Sequence, residues 1–191
     1  MLNNIPEEVT AVNVDCNGDT ILEAHCPDGK TRLLVSSHCL ALASPVFNRI
    51  FNSQFNEGIS NRSTSGNPSL ISLAEDDAEA LTLLCKVIHH QMDDVPRNPS
   101  LTCLKNLAII CDKYDCISIF AAWGELWIKP HIELPAAKHF NELMFAAYVL
   151  DLPGAFSRIS WEILEAQVGP FVNLPGLTDH KLVRHNLLGM S

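Results

Sequence analysis

The segment Val35–Gly58, VSSHCLALASPVFNRIFNSQFNEG, constrains the fold of this chain more than any other. Two helical patterns meet there at Ser44-Pro45. A proline pushes the residue before it out of the helical region, so the first helix must close near Ser44. The fixed φ and missing N–H of Pro45 suit the first turn of the next helix. Ser36 or Ser37 is placed to cap the first helix. Its buried side is read as Cys39, Leu40, Leu42 and Ala43. Val46, Phe47, Ile50 and Phe51 form the apolar face of the second helix, at the spacing of a helical stripe.

The flanking segments supply a small sheet. Asp19–Cys26 reads as a strand, Pro27-Asp28-Gly29-Lys30 as a turn in which Gly29 is free to take positive φ, and Thr31–Val35 as the returning strand. Residues 56–69 are rich in Asn, Ser and Gly and read as a loop. Leu70–Leu73 reads as a short strand. Glu75, Asp76 and Asp77 favour a helix start there by opposing the dipole. Leu81, Leu84, Cys85 and Ile88 give that helix one stripe, and residues 92–100 form a connector. Helices come next: one from Leu101 on Leu104, Leu107, Ala108 and Cys111; one over Ile117–Ile128; one over Ala136–Leu150; one over Ala155–Gln167. Pro130, Pro135 and Pro153-Gly154 punctuate them. The last 20 or so residues show no clear period. The order implies an α+β domain with a small sheet and most of its mass in helices.

Composition narrows the function. The 191 residues fit one domain of ordinary size, and 47% hydrophobic against 18% charged residues is a core-forming balance. A net charge of -9 with 13 scattered Lys and Arg gives no electrostatic footprint for nucleic acid or anionic lipid. No apolar run approaches the roughly 20 residues a membrane span needs. Seven cysteines are present without a C-x-x-C pair, and MLNNIPEEV has neither a basic start nor an apolar core. Both point to an intracellular setting, cytoplasmic or nuclear.

The Val35–Gly58 run resembles the signature of the BTB/POZ domain, and its Ser36-Ser37 and Ser-Pro-Val-Phe sequence is similar to the fungal type. LISLAEDDAEALTLLCKVIHH, starting at Leu70, resembles the next strand and helix of that family, and LTCLKNLAIICDKYDC, ending at Cys116, resembles the helix after them. AAYVLDLPGAFSRIS, from Ala146, is similar to the segment C-terminal to the domain in many fungal members. The resemblance covers about Asp19–Lys129. It implies a BTB/POZ fold over residues 19–130, a small sheet flanked by a cluster of helices, with a helical C-terminal extension over 131–191. Animal members carry His-Lys where Ser36-Ser37 stands, and His38 falls two residues late to be that histidine. Kelch repeats and zinc fingers are absent from the sequence.

The resemblance further implies a protein-interaction module, not an enzyme, that forms homodimers through its first strand and first helices and recruits protein partners. Ile21 and Leu22 on the strand and Leu40 and Leu42 on the helix are the interface candidates. Phe55-Asn56-Glu57 matches the hydrophobic-x-Glu pattern with which cullin-binding members contact the cullin, so a substrate adaptor for a cullin-type ubiquitin ligase is the alternative, with Phe55 as anchor and Glu57 as fixed charge. No catalytic residue, cofactor or metal ligand is expected. His25-Cys26, His38-Cys39 and His89-His90 are adjacent pairs whose side chains diverge on a strand or helix, which is poor ligand geometry. G-x-S-x-G, H-E-x-x-H and a phosphate-binding glycine loop are all absent. Phe120, Trp123 and Trp127 recur at helical spacing and are read as core.

Overall fold

A computed structural model describes residues 8–26, 29–52, 67–133 and 139–166. Among them run β1 (Glu8–Asn13), β2 (Thr20–Cys26), β3 (Gly29–Val35), α1 (Ser37–Ala43), α2 (Pro45–Asn52), β4 (Ser69–Asp77), α3 (Ala78–Ile88), α4 (Leu101–Lys113), α5 (Ile117–Ile132), α6 (Phe140–Val149) and α7 (Pro153–Ala166). The architecture is α+β: one four-stranded sheet and seven α-helices among the described residues.

The sheet order is β1-β3-β2-β4. β2 and β3 pair antiparallel, with Leu22 opposite Leu33, while β1 joins β3 and β4 joins β2 in parallel. Alternation along the strands gives the sheet two unlike faces. Leu22, Ala24, Leu33 and Val35 point inward and are fully buried. They rest on α3, which is buried nearly all round through Leu81, Leu84, Cys85 and their neighbours. Gly29 and Lys30, expected in the turn, instead open β3. Gly29 has φ +152, and a Cβ there would meet the Glu8 carbonyl at 2.2 Å, so only glycine lets β1 approach. Pro27 and Asp28 lie outside the described residues.

Some boundaries differ from the sequence reading. β1 was not expected, and the sheet starts at Glu8, ahead of Asp19. Its Val9, Thr10 and Val12 carry a strand propensity that its short length and polar ends obscure. β4 extends to Asp77, well beyond Leu73, after a register shift between Ala24 and His25. α5 passes through Pro130 to Ile132. Pro130 removes one helical hydrogen bond, but the last turn is held by the buried Ile132 and by the His131 ring, whose Nε2 donates to the Pro99 carbonyl at 2.9 Å.

The helix junction at Ser44 obeys the expected chemistry. Ser44 is extended (φ -143, ψ 122) and Pro45 opens α2. Ser36 caps α1, its Oγ accepting from the Cys39 amide. Leu42, however, stands 76% exposed, not on the buried side. With 100° per residue, a helix that buries Leu40 and inclines Ala43 inward turns the intervening Leu42 away. Phe47 is buried on α2, with Val46, Ile50 and Phe51 packed beside it. Phe120 and Trp127 are core, Trp123 packs against them, and the Trp127 indole N–H donates to Pro96. The C-terminal helices continue the same core through Leu143, Ala147, Ile159 and Ile163.

Candidate functional site

The α1–α2 hairpin is held at both ends by side-chain chemistry. At its base, the Ser44 hydroxyl donates to the Tyr114 carbonyl and accepts from the Phe47 amide at 3.0 Å. Tyr114 stacks on Phe47 with ring centroids 4.1 Å apart. Its hydroxyl donates to Asp76, which also takes the Lys113 ammonium at 2.7 Å. Burial, then the adjacent Asp76 carboxylate, pushes the Tyr114 phenol up, so it stays a protonated donor. This revises the reading of the acidic cluster. Asp77 does cap α3, accepting from the Ala80 amide at 2.9 Å, but Asp76 is 5% exposed and anchors α4 to the sheet.

At the start of α1, Asp19 accepts from the Ser37 amide at 2.8 Å and from its hydroxyl at 2.6 Å. The Ser36 amide donates to His89 Nε2 at 3.0 Å, and the His89 ring bonds the Cys85 carbonyl through Nδ1 at 2.8 Å. Burial raises the Asp19 carboxyl, but hydrogen bonds from Ser37, with smaller ones from its own amide and Thr20, together leave it below its ordinary value of 3.8. The folded chain thus binds this proton less readily than the unfolded one. The stabilisation is present above pH 3.8 and is lost as pH falls through the native value. Asp19→Ala is expected to lose about 0.5–1 kcal/mol at neutral pH, the low end for a capping group because Asp19 faces solvent. Urea titrations across pH should show the two proteins converging in acid; a gap independent of pH would exclude the carboxylate as its source.

The four residues singled out for pairing divide between core and surface. Leu22 and Leu40 are 0% exposed and belong to the chain's own core. Ile21 is half-buried and Leu42 is exposed, so these two retain surface for a partner. Phe55 and Glu57 lie outside the described residues.

The outer face of the sheet adds residues that sequence reasoning missed. Ile21 stands opposite Leu34 on β3 and Leu70 on β4, so an apolar row crosses three strands on the side away from the core. Leu70 is 49% exposed. The next row is charged: Glu23 accepts from Arg32 Nε at 2.8 Å and has Lys30 at 3.8 Å. The Arg32 bond, opposed by burial and aided by Lys30, holds the Glu23 carboxyl below its ordinary range. The Leu33-Leu34 pair, two apolar residues in succession on a strand, was the signal that one of them faces outward.

No disulfide links the seven cysteines. Burial pushes the thiols of Cys85 and Cys111 up, and burial with the Glu79 and Asp77 carboxylates pushes Cys103 to about 12, which leaves all three poor nucleophiles. Among the described residues no three His, Cys, Asp or Glu side chains gather as a metal site. No helix among them is long and apolar enough to cross a membrane. The chain matches no protein-family model and no curated protein.

Proposed function

We propose that this chain is a BTB/POZ-type protein-interaction module that self-associates and recruits protein partners. One observation carries the reading. Two of the runs that carry the resemblance, Val35–Gly58 and the one ending at Cys116, meet in space at the Ser44–Tyr114 bond and the Phe47–Tyr114 stack. The order of hairpin, helix pair, strand and helices around a small sheet is also the order the family implies.

The surface available for pairing is Leu42 on α1 and the Ile21–Leu34–Leu70 row on the sheet. Exposed apolar groups of this kind favour a self-complementary two-fold contact. A cullin-type partner rests on Phe55 and Glu57 alone, and no described residue favours it over self-association.

Light scattering after size exclusion, across a dilution series, tests the reading. The expected mass is near twice 21.1 kDa. Leu42→Glu is expected to shift it to 21.1 kDa while changing stability by no more than about 0.5 kcal/mol, since it removes no core contact. A wild-type mass of 21.1 kDa at every concentration would reject self-association.

A further inference from the structure

α3 packs mainly under β2, β3 and β4, and a cleft lies between it and β1. The cleft measures about 400 Å³. Thr10 and Val12 of β1 and Thr82 and Leu83 of α3 line it, with Pro96 and the buried Cys103. The volume is that of a site for a small organic molecule, and the lining is predominantly apolar.

Its charges are uneven. Lys86 and Asp94 also line the cleft and pair with each other at 3.7 Å. Glu79, also lining the cleft and exposed, bonds the Cys103 thiol but has no ion pair among the described residues. The cleft therefore offers an apolar interior beside one carboxylate that no cation among the described residues pairs. From this complementarity we infer that the cleft between β1 and α3 binds a small molecule with an apolar body and a single ammonium group, the body against Val12 and Leu83 and the ammonium at Glu79. This site is separate from the proposed pairing surface, because Thr10 and Val12 face α3 and the Ile21–Leu34–Leu70 row faces the opposite side of the sheet.

The test uses the full chain and three probes of one shape: 2-phenylethylamine, 2-phenylethanol and phenylacetate. Amide resonances are followed during titration to millimolar concentration. The amine is expected to shift Val12, Thr82 and Leu83 together, with the alcohol roughly two- to fivefold weaker and the anion weaker still, as for an exposed charge pair. Glu79→Gln should bring the amine to the affinity of the alcohol, and Val12→Trp, which fills the cleft, should abolish binding of both. If Val12→Trp does not fold, the Glu79→Gln comparison decides alone. Shifts scattered over the surface, no shifts, or equal affinity for the three probes would overturn the inference.

Discussion

Tyr114→Ala is expected to destabilise the fold by about 3–5 kcal/mol, the usual cost of truncating a fully buried aromatic residue. Tyr114 is 1% exposed and serves three elements at once. Its ring supports Phe47 on α2, its carbonyl holds Ser44 between α1 and α2, and its hydroxyl satisfies Asp76 on β4. Removing the ring opens a cavity under the helix hairpin and leaves Asp76 with Lys113 alone. Tyr114→Phe separates these contributions. It keeps the ring and removes the donor to a buried carboxylate, which should lose about 1.5–3 kcal/mol. Equilibrium urea unfolding of both variants measures the two values. A Tyr114→Phe protein as stable as the parent would show that the Asp76 bond adds nothing, and would leave the ring stack as the whole of the effect.

The same residue shows how far the sequence could be read. Ser44-Pro45 places two helices and their junction because the rule is local: a proline restricts its own φ and the ψ of its neighbour, wherever the chain goes next. Apolar periodicity likewise locates α3, α4 and α7 within a few residues. Beyond its reach are facts of tertiary placement. Asp76 and Asp77 are chemically identical neighbours, yet one caps a helix and the other is buried beneath Lys113 and Tyr114, 37 and 38 residues away. Leu40 and Leu42 have the same side chain, and only the rotation of α1 on its partners decides that the first is core and the second surface. β1 went unseen because a six-residue strand with little burial owes its existence to pairing with β3, not to its own pattern.

That dependence makes β1 the element most open to selective perturbation. Gly29→Ala is expected to detach it from the sheet. The native φ of +152 is a region that residues with a Cβ rarely adopt, and the new methyl would lie 2.2 Å from the Glu8 carbonyl oxygen. That neighbour is backbone, so relief requires the strand itself to move. The strain is worth about 1–3 kcal/mol. β1 has little burial to resist it, since five of its six residues are exposed and only Val12 is partly covered. β2, β3 and β4 have Leu22, Leu33 and Ala24 in the core and should stay paired. Hydrogen exchange should therefore show protection lost at β1 amides bonded to β3, with the Leu22 and Leu33 amides unchanged. Since Thr10 and Val12 wall the cleft beside α3, the variant should also lose binding of 2-phenylethylamine. Protection of β1 equal to the parent would mean that the strand tolerates a Cβ at Gly29, and that its position is set by contacts other than the close approach of Glu8.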